Sequence, residues 1–172
     1  MVSIQGVVLF AVLIILLLLI YAATCIRNVP QAKAYVIEMF GKYRTTWHAG
    51  FHAKFPFIER VAQVVNLNEQ DLKLKSQAII TKDNVEMDVD SAVFFQITDP
   101  YRFTYVIQKP FLELENLTLA KLRSVLNGME IDKVLSSRDL INTKMRASLN
   151  KSTESWGIKV NRVEVKMNVR ED

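Results

Sequence analysis

The sequence opens with an apolar stretch, MVSIQGVVLFAVLIILLLLIYAATCI at residues 1–26, that constrains how the rest of the chain can be arranged. The stretch has no charged side chain and no proline, and residues 7–20 are unbroken apolar sequence. A helix needs about 20 mostly apolar residues to cross a bilayer. At about 1.5 Å per residue, a helix over residues 3–26 would rise about 36 Å. The stretch therefore predicts one N-terminal transmembrane helix, assigned to residues 1–28, with Tyr21 near the lipid headgroups.

The alternatives to a transmembrane helix are a cleaved signal and a buried helix. A signal peptide places basic residues before a shorter apolar core, whereas no Lys or Arg precedes this one, and residues 22–25 fit a lipoprotein cleavage site poorly. A helix in a protein core would show a polar face, which this stretch lacks. Several basic residues follow the stretch, so the positive-inside rule predicts an outer N-terminus and a cytoplasmic domain at a bacterial inner membrane: Arg27, Lys33, Lys42, Arg44 and Lys54.

All charged side chains lie beyond this stretch, 22 Lys and Arg against 18 Asp and Glu, for a net charge of +4. The excess suits a domain beside an anionic leaflet, although ordinary solvated charge explains most of these residues equally well. No basic run with interleaved aromatics indicates nucleic acid. The single cysteine, Cys25, excludes an internal disulfide, and it is either a small residue at a helix end or a site of S-acylation.

After the anchor, β-branched and aromatic residues recur in short runs that predict strands at residues 34–40, 61–66, 72–81 and 85–97. Gly41-Lys42 and Lys82-Asp83-Asn84 carry turn chemistry between neighbouring runs. In the run 85–97, apolar residues alternate with charged ones, which is typical of a strand buried on one face. These runs predict a mainly antiparallel sheet with one packed face and one wet face.

Residues 47–58, WHAGFHAKFPFI, are dense in aromatic side chains and contain no acid. Gly50 and Pro56 favour a loop over a helix. The apolar side chains of this loop either contact the lipid headgroups or fill the core of the first subdomain: Trp47, Phe51, Phe55, Phe57 and Ile58. His48 and His52 are four residues apart, but Gly50 disfavours a helix and no further ligand lies nearby, so we predict no metal site.

The second half of the chain changes to helical spacing. Asp99-Pro100 predicts a short helix to about residue 107, and Pro110 begins a second helix that Gly128 ends. Residues 136–139, SSRD, resemble a capping box that opens a third helix to about Trp156. Residues 158–168 alternate again as a closing strand, so the fold class is α+β.

Several short strings occur in order along the chain: VPQ at 29–31, EMFGKY at 38–43, PF at 56–57, TKDNV at 81–85, ENLT at 115–118, LRSVL at 122–126, SRD at 137–139 with IN at 141–142, and WGIKV at 156–160. With these strings the sequence resembles the stomatin/prohibitin/flotillin (SPFH, band 7) superfamily over nearly the whole chain, most closely the bacterial stomatin-like paraslipin (QmcA-type) branch. Where relatives commonly have Pro-Gly in the aromatic loop, this sequence has Ala49-Gly50.

The resemblance implies a membrane anchor, a first SPFH subdomain at residues 29–98, which is mainly β, and a helix-rich second subdomain at 99–172. It also implies a long coiled-coil helix, but the sequence ends at Asp172, before that helix would begin. Closed rings are therefore expected to need co-assembly with longer relatives. Charged residues on the helices at 110–127 and 137–155 are the predicted subunit contacts: Glu113, Lys121, Arg123, Arg138 and Lys144.

The resemblance implies a scaffold that self-associates laterally in the membrane and confines other membrane proteins and lipids. The alternative is a regulatory or adaptor subunit of a membrane protease or of an NfeD-type partner. An enzyme is disfavoured, because no Gly-rich phosphate loop, G-x-S-x-G elbow or metal-spaced cluster is present, and no cofactor is predicted.

Overall fold

The computed structural model describes residues 4–55 and 58–169 and divides the chain into two compact units, Met1–Val65 and Asn66–Asp172. The first unit begins with helix α1 (Ile4–Cys25), and its strands are β1 (Ile26–Val29), β2 (Lys33–Met39), β3 (Lys42–Trp47), β4 (Gly50–Ala53) and β5 (Glu59–Asn66). The predicted strand at 34–40 is confirmed as β2, and the turn after it lies at Phe40-Gly41, one residue earlier than the predicted Gly41-Lys42. β1 and β4 occupy segments for which no strand was predicted.

The predicted single N-terminal transmembrane helix is wrong. Within residues 4–55 and 58–169, no helix has both the length and the apolar character that a membrane crossing requires. The predicted outside-to-cytoplasm orientation depended on that span and is corrected with it.

Two small sheets make up the rest of the first unit. β1 pairs with β4 in the register Ile26↔Ala53 to Val29↔Gly50, and the other sheet has the order β3-β2-β5. Val29, Ile37 and Trp47 are buried together, with Tyr35 and Val61 packed against them. Strands far apart in sequence are thus joined by side chains that share one small core.

The second unit is a three-stranded antiparallel sheet covered by helices. Its strands are β6 (Gln70–Ile80), β7 (Glu86–Ile97) and β8 (Ile158–Val169), with β7 in the centre. The predicted alternation in β7 is confirmed, because every second residue from Met87 to Ile97 is buried. These buried residues face a layer of helices, and the intervening side chains of β7 are only half-buried.

The helices of this unit are α2 (Pro100–Tyr105), α3 (Pro110–Leu126), α4 (Ile131–Ser136) and α5 (Arg138–Thr153), followed by a 3-10 turn at Glu154–Trp156. Asp99 caps α2 as predicted, because its carboxylate accepts from the backbone N–H of Arg102 at 3.1 Å. α3 and α5 each bury four residues at helical spacing, including Leu122 and Met145. Asn150 then ties α5 to β8 by two hydrogen bonds of 2.8 Å to the backbone of Val160.

The capping box predicted at residues 136–139 is not formed. Ser136 ends α4, and its hydroxyl donates back to the carbonyl of Asp132 at 2.7 Å. Ser137 occupies the N-cap position of α5 without a side-chain hydrogen bond. The capping pattern had placed Ser136 at the start of α5. In the structure, Ser136 is instead the last residue of α4, a short helix that the sequence did not predict.

The two compact units meet in sequence at Val65 and Asn66, whereas the sequence-based division placed a boundary after residue 98. A boundary at 98 would separate β6 and β7 from β8, although β7 and β8 pair over eleven residue positions from Met87↔Val169 to Ile97↔Ile158. The ladders join β6 and β7 to β8. The family resemblance had grouped β6 and β7 with the first sheet.

Gly157 links the helices to the closing strand in a conformation that a side chain would disturb. Its φ is +73°, and its carbonyl accepts from the backbone N–H groups of Thr98 and Asp99 at 2.8 and 3.2 Å. A Cβ at this position would lie 2.5 Å from the carbonyl oxygen of Asp99. The backbone of the α2 N-terminus therefore approaches too closely for any residue other than glycine.

We expect Gly157→Ala to lower the free energy of unfolding by about 2 kcal/mol or more, from backbone strain and overpacking. Urea denaturation of the full chain, followed by circular dichroism, measures the change. Gly128→Ala is the matched control, since a Cβ there meets only carbonyl oxygens at 3.8 and 3.9 Å, and should shift stability by less than about 1 kcal/mol. Equal effects of the two substitutions would contradict the predicted clash.

Candidate functional site

The candidate site is one end of the first unit, where the segment after β4 meets the end of α1. The backbone N–H of Lys54 donates to the carbonyl of Cys25 at 2.7 Å, which extends the β1–β4 ladder to the helix end. Phe55 then turns the chain, because its carbonyl accepts from the N–H groups of Ile58 and Glu59 at 3.2 and 3.0 Å. The region predicted as an aromatic loop is thus a strand, β4, followed by a tight turn.

Glu59 holds this turn against the β2–β3 hairpin. The residue is 3% exposed, and its carboxylate pairs with the guanidinium of Arg44 on β3 and accepts from the backbone N–H of Phe55 at 3.1 Å. A buried carboxylate is costly unless it is paired and hydrogen-bonded. Both conditions are met here, so the carboxylate fixes the position of the Phe55 turn.

A second buried carboxylate lies on the same hairpin. Glu38 on β2 is 7% exposed, and it accepts from the Nε of Arg60 at 2.7 Å. Glu38 and Glu59 are the only acidic residues in the first unit. The sequence analysis did not identify either glutamate as a structural residue. Two acidic residues in an otherwise basic segment could have indicated that each one pairs with a specific basic residue.

Most of the described side chains predicted to contact the membrane are exposed, and Trp47 is the exception. Phe51, Phe55 and Ile58 are 81%, 57% and 42% exposed, respectively. Trp47 is buried in the core and stacks on His52 with ring centroids 5.0 Å apart. Of the two predicted alternatives, lipid contact and core packing, Trp47 therefore fits core packing. Phe57 lies outside the described residues.

Tyr21 is exposed on α1, and its backbone carbonyl accepts from the thiol of Cys25 at 3.2 Å. The neighbouring residue Ile26, which begins β1, is 64% exposed. Exposed apolar side chains thus continue from the helix into the first sheet strand. An apolar surface of this kind, contiguous rather than scattered, marks a binding surface.

The net charge of the protein is confined to the first unit. Its six Lys and Arg face only two Glu, which gives a net charge of +4, and the second unit has equal numbers of basic and acidic residues. Both glutamates are buried, and each pairs with an arginine, Glu59 with Arg44 and Glu38 with Arg60. The first unit is therefore suited to an anionic surface.

His48 and His52 are arranged as a structural pair. The Nε2 atom of His52 lies 2.8 Å from the carbonyl oxygen of His48. In the described part of the chain, no group of three or more His, Cys, Asp or Glu side chains could hold a metal ion.

The charged residues predicted to form subunit contacts lie in the second unit. Glu113, Lys121 and Arg123 are on α3, and Arg138 and Lys144 are on α5. All are exposed except Lys121, which is half-buried. Arg123 also donates to the side-chain oxygen of Gln77 on β6 at 2.9 Å, so part of its hydrogen bonding is used within the unit. A role for these residues between subunits stays a prediction.

Comparisons with known proteins identify similar chains. The model of the SPFH domain / Band 7 family matches residues 27–167. An uncharacterised protein of Mycobacterium tuberculosis is 37% identical over 164 residues, which cover 95% of this chain and 43% of that protein. An uncharacterised protein of Methanothermobacter thermautotrophicus is 33% identical over 89% of this chain and 48% of its own length.

Stomatin-like protein 2, mitochondrial, from Rattus norvegicus is 30% identical over 143 residues, 83% of this chain and 40% of that protein. The chain thus spans less than half the length of each of these relatives.

We expect Glu59→Gln to destabilise the protein by about 1–3 kcal/mol, because the substitution removes the charge that pairs with Arg44. Asp71→Asn is the matched control, since Asp71 is half-exposed and pairs with Lys73 at only 3.9 Å. Loss of such a surface pair should cost less than about 1 kcal/mol. Urea denaturation measures both variants. A Glu59→Gln effect no larger than that of Asp71→Asn would show that the carboxylate does not hold the turn.

Proposed function

Because the chain belongs to the SPFH domain / Band 7 family, we propose that it is a non-catalytic, membrane-associated scaffold. Family membership supports such a role at the level of the family, and the exposed apolar end of the first unit is the observation that carries it for this chain. In this proposal, the first unit meets the lipid surface, and the second unit meets neighbouring copies.

The apolar side chains at the end of the first unit have the right chemistry for a lipid surface. Phe51, Phe55 and Ile58 are exposed to water although burying each such side chain would be favourable by about 1.5–3 kcal/mol. Aromatic side chains are enriched where membranes meet water. Basic residues in the same unit add about 1 kcal/mol each near an anionic leaflet. Both contributions would favour contact between this unit and an anionic membrane surface.

The proposed lateral contacts use the charged surfaces of α3 and α5. Proteins held at a membrane surface have a raised effective concentration, so contacts that are weak in solution can assemble neighbours. Glu113 on α3 carries a charge opposite to that of Lys144 on α5, and both are exposed. A head-to-tail contact between copies would place such opposite charges against each other.

A lipid-depth measurement tests the membrane contact of the first unit. Phe51→Trp and Phe55→Trp introduce a fluorophore into the full chain, which is mixed with vesicles of phosphatidylcholine and phosphatidylglycerol. Brominated acyl chains should quench each introduced indole beyond the quenching of the native Trp47 and Trp156. The control is Val106→Trp, an exposed position in the second unit, which should gain no quenching. Equal quenching at all three positions would contradict the proposal.

A charge substitution tests the lateral contact. We expect Lys144→Glu to reduce the larger species that cross-linking detects in membranes, because like charges then face each other. Lys166→Glu, an exposed position on β8, should leave the pattern unchanged. A chain that is monomeric in membranes would overturn self-association. If one other membrane protein is instead recovered with the chain in a stoichiometric complex, the result would favour the adaptor role beside a membrane protease or an NfeD-type partner.

A further inference from the structure

The turn between β2 and β3 contains an aromatic residue in a conformation that aromatics avoid. Met39 pairs with Lys42, so Phe40 and Gly41 form a two-residue hairpin loop. Their φ angles are +52° and +77°. A two-residue turn with positive φ at both positions strongly favours Asn-Gly, because only glycine and a few small polar residues enter this region without strain.

Phe40 is also 80% exposed. Its side chain therefore gives little to the packing of the unit, although its backbone is held in a strained region. Gly41, the second residue of the turn, suits the positive φ that the turn requires. Only Phe40, at the first position, departs from the residues that this turn favours. Phe40 thus combines an unfavourable backbone conformation with an apolar side chain that is exposed to water. A contact with something outside the chain explains this combination better than the folding of the unit does.

The hairpin tip belongs to the same end of the unit as the exposed residues after β4. Arg44, near the tip, pairs with Glu59, and Glu59 accepts from the N–H of Phe55. Glu38, just before the tip, pairs with Arg60. These contacts connect the turn directly to the segment that contains Phe55 and Ile58. Met39 and Tyr43, on either side of the turn, are 38% and 41% exposed.

From this placement we propose that Phe40 is a wedge that inserts into an anionic lipid surface, an inference that rests on the proposed function of the same end. Charge favours lipid as the occupant. The two acids near the tip are buried beside arginines, and Lys42 follows the turn directly. A phenylalanine at a hairpin tip with basic residues behind it matches the apolar interior and anionic headgroups of a leaflet.

The substitution Phe40→Asn separates folding from binding. Because asparagine suits the left-handed turn, we expect the variant to unfold at a temperature higher by about 2–4 °C. The same variant should bind vesicles of phosphatidylcholine and phosphatidylglycerol about tenfold more weakly, since it lacks a large apolar side chain. The control is Val106→Asn, which removes an exposed apolar side chain from the second unit and should leave vesicle binding unchanged.

Phe40→Trp reports on the occupant directly. Quenching by brominated acyl chains at position 40, together with the opposite effects of Phe40→Asn on stability and binding, supports the wedge. An indole at position 40 that is unquenched, or that changes only when the protein concentration is raised, overturns it in favour of exposure to water or of a second copy. Failure of Phe40→Asn to raise the unfolding temperature overturns the argument from turn strain.

The outcomes also separate this inference from the proposed function. Quenching at positions 51 and 55 without quenching at 40 removes the wedge and leaves the membrane contact in place. Absence of quenching at all three positions removes both.

Discussion

The candidate site depends on one buried carboxylate. Glu59 pairs with Arg44 and accepts from the backbone of Phe55, so a single side chain joins the β2–β3 hairpin to the turn after β4. The cost of burying that charge is offset only while both partners remain in place. Its consequence is that apolar side chains from separate segments are held at one end of the unit instead of collapsing into its small core.

The two units divide the chemistry of the protein. The first contains the whole net charge and an exposed apolar end, and the second is electrically balanced and has a core of alternating strand residues under two amphipathic helices. Surface features of the first kind suit a lipid surface, and a balanced surface with exposed charges of both signs suits contact with copies of itself. The proposed scaffold would therefore use the first unit for lipid and the second unit for neighbouring copies.

Local patterns predicted much of the fold. The alternation in β7, the Asp99 cap and the end of helical structure at about Trp156 each follow from a few neighbouring residues, and the structure has all three. Pairing between distant residues was not predictable in the same way. β4 contains Gly50 and lies before Pro56, which favours a loop, and it becomes a strand because β1 supplies a partner. The six-residue helix α4 shows too little periodicity to predict.

The same distinction applies to the candidate site. Sequence identified the apolar residues of the segment 47–58 but left open which of them are buried, and tertiary packing places Trp47 inside and Phe51 outside. The predicted membrane span is wrong, so the proposed membrane contact depends on the sheets of the first unit. Phe40 was predicted as the last residue of a strand at 34–40, and the φ angles of Phe40 and Gly41 are what place it in the turn.

Hydrogen exchange of the full chain on anionic vesicles, compared with the chain on vesicles of phosphatidylcholine alone, tests the central claim most directly. The account predicts that amides of residues 39–43 and 50–58 become slower to exchange on the anionic surface, while the helices of the second unit are unchanged. Slowed exchange confined to the second unit would contradict it.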